Sequence, residues 1–167
     1  INNAIPKNSK IYLKLLKSFK NFKIEKILKL RNYFYNKVSY FMIHGFTQVI
    51  DFKNKGTKKN LTKLSKILPL GISVYSPSEV YKAYKLFKFD SLQAPVNIFD
   101  QRFLSRNMLR FLKKNNIQFC ARSIYLQGVL LQNKDFIKKN FPQFYDDFSI
   151  FFNQFSKGLN TRKKLIT

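Results

Sequence analysis

The sequence predicts an α/β fold built on a parallel sheet, and three observations between residues 71 and 131 support this prediction. Three short apolar runs have the length of β-strands, at residues 71–75, 91–96 and 117–122. An amphipathic stretch separates each run from the next, which is the strand–helix–strand rhythm of parallel sheets. In such folds the strand ends carry the chemistry, so polar residues there are candidate site residues, namely Ser73, Gln93 and Ser123.

The part of the chain before residue 71 predicts three further elements. Residues 9–30 are rich in Lys, Leu, Ile and Phe at helical spacing, residues 38–44 form a largely apolar run of strand length, and residues 57–68 again suggest a helix. The apolar positions of the first predicted helix recur every three residues, at Leu13, Leu16, Phe19 and Phe22. This spacing predicts a helix with one apolar face.

A helix start is predicted directly after the strand that carries Ser73. Ser76 suits the N-cap position and Pro77 suits the first helical position. Glu79, three residues after the cap, completes a capping box. The N-terminus of this helix would therefore direct backbone N–H groups toward the strand end that holds Ser73.

The remainder of the chain predicts two helices around one more strand. A helix with apolar residues at 108, 109, 111 and 112 precedes the strand at 117–122, and a loop follows over residues 123–132. The last clear helix spans residues 142–157. Its aromatic residues fit the 3.6-residue helical period and are interpreted as core, at Phe144, Phe148, Phe151, Phe152 and Phe155.

Composition indicates one globular domain in a reducing compartment. The chain has 167 residues with 45% hydrophobic residues, and no apolar run approaches the ~20 residues that cross a bilayer. The single cysteine, Cys120, excludes both an internal disulfide framework and a cysteine metal cluster, so a cytoplasmic location is predicted. Ile1 stands where a start methionine would be, which we interpret as a cut end.

The net charge of +24 raises the alternative of a nucleic-acid-binding protein. The lysines, however, are spread along the whole chain and alternate with Phe, Ile, Leu and Asn. All of these residue types except leucine have A/T-rich codons, so a biased genome would give a similar composition. We therefore favour a solvated basic surface and keep a basic RNA- or DNA-binding protein, for example a ribosome-associated one, as the minority interpretation.

Several common site motifs are absent from the sequence. Neither the phosphate-binding Gly-x-x-x-x-Gly-Lys-Ser/Thr loop nor Gly-x-Gly-x-x-Gly occurs. The Gly-x-Ser at residues 71–73 lacks the second glycine of a nucleophile elbow. The only histidine is His44, which excludes the usual histidine-rich metal sites, so no metal site is predicted.

The amino-acid sequence of three segments, residues 71–79, 93–103 and 121–131, resembles that of the aldo-keto reductases. These segments are similar to the fifth, sixth and seventh barrel strands of bacterial members, in order and in spacing. Upstream, residues 42–44 followed by Asp51 resemble the fourth strand and its loop. The resemblance covers roughly residues 36–158.

This resemblance implies a (β/α)8 barrel of which only about strands 3 or 4 to 7 are present. Such barrels typically need ~250 residues, so residues 1–167 would form a single, partial barrel domain. The resemblance also implies reduction of a small aldehyde or ketone by NADP(H), with NAD(H) as the alternative cofactor. The sequence leaves the substrate and the oligomeric state open.

The resemblance further implies a set of site residues. His44 matches the histidine that polarises the substrate carbonyl beside a tyrosine acid, although a strand-end histidine is more often structural. Ser73 and Gln93 match the residues that hold the nicotinamide carboxamide. A glutamine inside an apolar strand also needs partners of its own, which supports a ligand role independently.

Three more residues follow on the last strand and its loop. Ser123 matches a serine near the pyrophosphate of the cofactor, and Gln127 fits the loop that closes over the cofactor. Arg122 stands where many members have a stacking tyrosine. A guanidinium stacks on rings as well, but beside a cationic nicotinamide it is less favourable, so Arg122 is also predicted to meet a phosphate.

The departures from the family lead to a second hypothesis. The catalytic aspartate and tyrosine of the family would lie before Ile1, and its lysine is expected near Ala4, where no lysine stands. We therefore expect this chain alone to bind cofactor weakly and to catalyse little. A noncatalytic member of the same fold is the alternative interpretation.

Overall fold

The computed structural model describes residues 11–15, 24–33, 38–45 and 55–156. Its strands are β1 (Ile11–Leu15), β2 (Val38–Ile43), β3 (Leu70–Ser73), β4 (Ser91–Pro95) and β5 (Gln118–Arg122). Its helices are α1 (Ile24–Tyr33), α2 (Lys55–Ser65), α3 (Pro77–Leu86), α4 (Arg106–Lys114), α5 (Lys134–Asn140) and α6 (Tyr145–Ser156). Short 3₁₀ turns lie at Arg102–Leu104, Leu126–Leu131 and Pro142–Phe144.

The chain divides into two compact units, Ile1–Arg122 and Ser123–Thr167. The first unit contains the five strands with helices α1 to α4, and the second contains helices α5 and α6. The prediction of one partial barrel domain over residues 1–167 stays a prediction.

The sheet has five parallel strands in the order β1-β2-β3-β4-β5 within the described residues. Every strand therefore lies beside its neighbour in sequence, and the order never reverses. A doubly wound sheet would reverse its order at a switch point, whereas consecutive strands of a (β/α)8 barrel follow one another around the ring. The predicted fold class, an incomplete (β/α)8 barrel, is confirmed.

One face of the sheet is apolar and supplies the core of the first unit. Ile43, Ile72, Leu92 and Ala94 each have 0% of their surface exposed, and Phe41 has 1%. They pack with buried residues of the neighbouring helices, such as Leu61, Leu64, Val80, Ala83, Met108 and Leu112. Burying these side chains stabilises the fold, because each removes apolar surface from water.

The opposite face of the sheet, which we call the polar face, is lined by the alternate strand residues. Its members include Tyr12, Lys14, Tyr40, Ser73, Ser91, Gln93, Gln118, Cys120 and Arg122. Side chains alternate between the two faces along a strand. The pairing register that places the apolar side chains together on one face therefore also places the polar side chains together on the opposite face.

The sheet is strongly curled toward its polar face. Gln118 Nε2 on β5 donates a hydrogen bond to Tyr12 Oη on β1 at 3.4 Å, although three strands lie between them. In a flat sheet, four strand spacings would put these backbones about 19 Å apart, beyond the reach of the two side chains. The contact therefore requires the curvature of a partial barrel.

Most predicted elements are confirmed, including the start of α3. The Glu79 carboxylate accepts hydrogen bonds from the backbone N–H groups of Tyr75 at 2.8 Å and Ser76 at 3.1 Å. These contacts supply the glutamate half of the predicted capping box and fix the helix just beyond the end of β3.

One sequence prediction about secondary structure is wrong, and one helix was not predicted. Residues 11–15 form strand β1 and not the first part of a helix over residues 9–30; of the described residues in this region, Ile24–Tyr33 is helical. Parallel pairing of β1 with β2 overrides the helical spacing of the leucines. The sequence analysis also missed helix α5, whose N-cap Asn133 accepts a hydrogen bond from Phe136 N at 2.8 Å.

Candidate functional site

The carboxyl ends of the five strands bring five polar side chains to one rim, four of them predicted as site residues from the sequence. Ser73 is the last residue of β3 and Arg122 is the last residue of β5, while His44 follows β2 directly. Lys14 lies next to last in β1 and Gln93 lies at the middle of β4. Because all five strands are parallel, their carboxyl ends share one edge of the sheet.

Lys14 joins two of the predicted cofactor-binding residues. Its Nζ donates a hydrogen bond to Gln93 Oε1 at 2.8 Å and a longer one to Ser73 Oγ at 3.4 Å. Gln93 Nε2 in turn contacts Cys120 Sγ at 4.0 Å. Ser73 is 1% exposed, so its hydroxyl is held in the interior of the polar face. The structure therefore brings Ser73 and Gln93 together around an ammonium group.

Burial lowers the pKa of Lys14 below its usual value, and the positive charge of Arg122 lowers it further. Desolvation acts here because an ammonium is less favourable away from water, and Arg122 acts because like charges repel. The thiol of Cys120 opposes these two effects. A lysine with a lowered pKa gives up its proton more readily than a solvated lysine does.

His44 belongs to the same electrostatic cluster. Desolvation lowers its pKa below 6.5, and the charges of Lys14 and Arg122 lower it further. The neutral imidazole is thereby favoured, which suits a group that donates a hydrogen bond to a carbonyl oxygen. We call Lys14, His44 and Arg122 the cationic cluster.

The lowered pKa of His44 has a consequence for stability. The folded protein binds fewer protons at His44 than the unfolded chain between the two pKa values, so the free energy of unfolding rises with pH in that interval. We expect the free energy of unfolding to fall as the pH is lowered through 6.5. Because His44 is the only histidine, a His44→Gln variant should lose this part of the pH dependence.

Urea denaturation between about pH 7.5 and about pH 5.5 measures this effect, since histidine titrates in that range. Carboxylates contribute mainly at lower pH and are the same in both proteins. Equal pH dependence in the wild type and in His44→Gln would show that the cationic cluster does not act on His44.

Arg122 stacks on the aromatic ring of Tyr75, and its predicted role toward the cofactor stays a prediction. Its guanidinium carbon lies 4.3 Å from the centroid of the Tyr75 ring. The Nε and Nη2 atoms are buried and have no hydrogen-bond partner among the described residues. The backbone carbonyl of Arg122 accepts a hydrogen bond from Val96 N at 3.0 Å, which fixes the end of β5.

Ser123 and Gln127, the other two predicted cofactor residues, belong to the second unit. Both have left-handed backbone conformations, with φ of 58° and 57°, as does Leu126 with 47°. Gly128 follows with φ of 92°, a value that favours glycine. Such conformations cost free energy in residues with a Cβ and often occur in ligand-binding loops. The roles of both residues remain predictions.

Sequence analysis missed Lys14, and a signal for it was present. Ile11, Leu13 and Leu15 alternate with Tyr12 and Lys14, which is the pattern of a strand with one apolar face. The abundant lysines and the three-residue spacing of the leucines hid this alternation. The expected lysine position at Ala4 lies outside the described residues.

The residues at the rim fit a nicotinamide cofactor. The Ser73 hydroxyl accepts a hydrogen bond from Lys14, and the Gln93 carboxamide both donates and accepts one. Hydroxyl and carboxamide groups can act as donor and as acceptor, as recognition of another carboxamide requires. Within the described ranges, no group of three or more His, Cys, Asp or Glu side chains is placed to hold a metal ion. Among the same residues, no helix is long and apolar enough to span a membrane.

Comparison with known proteins identifies the family. The sequence model of the aldo/keto reductase family matches residues 24–165. A solved structure, the glycerol dehydrogenase from Gluconobacter oxydans, is similar with a TM-score of 0.49 and 19% sequence identity; the match covers 95% of this chain and 59% of that one. No curated protein matches the chain at a significant level. The family match covers most of the chain, and the chain therefore belongs to the aldo/keto reductase family.

Proposed function

We propose that the protein reduces a small aldehyde or ketone with NADP(H), or alternatively NAD(H), as the hydride donor. The observation that carries this proposal is the meeting of Lys14, Ser73 and Gln93 at the rim where His44 also lies. A bound nicotinamide would supply the hydride. The chain spans 59% of the glycerol dehydrogenase structure that it matches, and the activity is proposed for the whole protein.

The roles of the residues follow from their chemistry. Ser73 and Gln93 bind the carboxamide and so fix which face of the ring meets the substrate. Neutral His44 donates a hydrogen bond to the carbonyl oxygen of the substrate. Lys14 provides the positive charge that stabilises this oxygen as negative charge develops on it. Arg122, Ser123 and Gln127 complete the cofactor site in this proposal, and a cytoplasmic location supplies the reduced cofactor.

Cofactor binding tests this proposal most directly. We expect NADPH fluorescence to change on binding to the protein at its natural length, and we expect Gln93→Ala to weaken the binding by about tenfold through loss of its hydrogen bonds. Gln101→Ala is the matched control, because Gln101 is an exposed glutamine whose side-chain amide donates to the Ile98 carbonyl and has no contact with Lys14 or Ser73 among the described hydrogen bonds. Circular dichroism confirms that both variants are folded.

Either of two results would contradict the proposed cofactor binding. If the wild type leaves NADPH fluorescence unchanged, or if Gln93→Ala and Gln101→Ala bind alike, the cofactor assignment is wrong. NADPH binding without oxidation of NADPH by any of a panel of aldehydes and ketones would favour the noncatalytic alternative.

A further inference from the structure

The side chain of Arg122 presents two buried hydrogen-bond donors that the described residues do not use. Its Nε and Nη2 atoms are both buried and have no hydrogen-bond partner within the part of the chain that the structure covers. These two nitrogens form one edge of the guanidinium, and their N–H groups run parallel. That spacing matches the two oxygens of a carboxylate or phosphate group, which binds such an edge with two parallel hydrogen bonds.

In Arg102 of the same chain, the corresponding edge of the guanidinium is paired with a carboxylate. Its Nε donates to Asp100 Oδ1 at 2.8 Å and its Nη2 donates to Asp100 Oδ2 at 2.8 Å. Arg102 is solvent-exposed, with 58% of its side chain accessible, and could have used water instead. Arg122 requires a hydrogen-bond acceptor more than Arg102 does, because buried donors of a charged group destabilise the protein when they remain unpaired.

Neither Tyr75 nor the other residues of the cationic cluster accept a hydrogen bond from the Nε–Nη2 edge of Arg122. The Tyr75 ring covers the face of the guanidinium and leaves its edge unpaired. The positive charge of Arg122 lowers the pKa of Lys14, and the charges of Lys14 and Arg122 lower the pKa of His44, with no carboxylate among the described residues acting on either group. The positive charge at this rim therefore lacks a counter-charge in the part of the chain that the structure covers.

We propose that the Nε–Nη2 edge of Arg122 binds an oxyanion, that is, a carboxylate or phosphate group carried by a ligand at the strand-end rim. The Tyr75 ring holds the guanidinium flat, so the edge is presented in a fixed orientation. Lys14 adds long-range attraction without occupying the edge, since its ammonium is held by Gln93 and Ser73. Oxyanion binding does not depend on hydride transfer and is separable from the proposed reduction.

Phosphate binding in the absence of nicotinamide tests the site. We expect calorimetric titration of the protein with inorganic phosphate, at constant ionic strength with chloride, to show one saturable site. Arg122→Met should weaken phosphate binding by about tenfold or more, because hydrogen bonds to charged groups are strong. Arg110→Met is the matched control, since Arg110 is exposed on helix α4 and the variant has the same charge.

A second variant separates the contribution of the two paired donors from that of the positive charge. Arg122→Lys keeps the positive charge but removes the paired donors, so we expect it to bind phosphate more weakly than the wild type and more tightly than Arg122→Met. Circular dichroism verifies that each variant is folded. Equal phosphate affinity in the wild type and Arg122→Lys, or an equal loss in Arg122→Met and Arg110→Met, would overturn the site.

A competition experiment identifies the source of the oxyanion. If the natural group is a phosphate of the cofactor, NADPH displaces inorganic phosphate from the wild type. If it is an acidic group of the substrate, phosphate and NADPH bind together and phosphate inhibits the reduction of acidic carbonyl compounds. Either result supports the oxyanion site. If the protein reduces no carbonyl compound, the proposed reduction is wrong, but phosphate binding would still be observed.

Discussion

Replacing Lys14 by methionine is expected to lower kcat/KM for carbonyl reduction by about 100-fold or more. Hydride addition places negative charge on the carbonyl oxygen, and a fixed cation nearby stabilises that charge most effectively in a partly buried site. Removing one group that stabilises a developing oxyanion typically costs about 10² to 10³ in kcat. Methionine has a similar length and keeps the packing of the Lys14 side chain while removing its charge.

The loss should appear mainly in kcat, because Lys14 acts on the developing oxyanion more than on the bound ground state. The Lys14→Met variant also leaves Gln93 Oε1 without its donor, so we expect NADPH affinity to fall as well, but by a smaller factor than kcat. Steady-state kinetics with the protein at its natural length measures both quantities.

Lys63→Met is the matched control for this experiment. Lys63 is exposed on helix α2, so the same change of charge there should leave kcat/KM close to the wild-type value. Equal kinetics of Lys14→Met and the wild type, with both proteins folded, would show that Lys14 plays no part in the reduction.

The strand-end residues were the part of the site that the sequence could predict. Ser73 and Gln93 interrupt runs of apolar residues, and a polar side chain in a buried strand needs a reason. The parallel order of the strands then places both at one rim, as the sheet shows. The residue that joins them, Lys14, lies 59 positions before Ser73, and no local pattern encodes a contact over that separation.

Curvature of the sheet explains why the site could not be assembled from sequence alone. Lys14 reaches Gln93 across two intervening strands, and this contact exists only because the sheet curls. Curl arises from twist and side-chain packing over all five strands, so no single segment specifies it. The same limit applies to Arg122, whose sequence neighbours give no hint that its guanidinium stacks on Tyr75.

The largest expected effect on stability comes from Phe103, which anchors the connection between β4 and α4. Phe103 has 0% of its surface exposed and stacks near Phe119 of β5, with ring centroids 6.4 Å apart. Phe103→Ala should lower the free energy of unfolding by about 3–5 kcal/mol, since it removes buried apolar surface and leaves a cavity. That is a large part of the roughly 5–15 kcal/mol that typically stabilises a folded protein.

Urea denaturation followed by circular dichroism measures this loss, and Phe99→Ala provides its control. Phe99 lies in the same connection but is 49% exposed, so we expect its truncation to cost about 1 kcal/mol or less. The two variants delete the same atoms, and only burial distinguishes them. Equal losses would mean that Phe103 does not anchor the core, because transfer from water to the interior is what separates a buried phenylalanine from an exposed one.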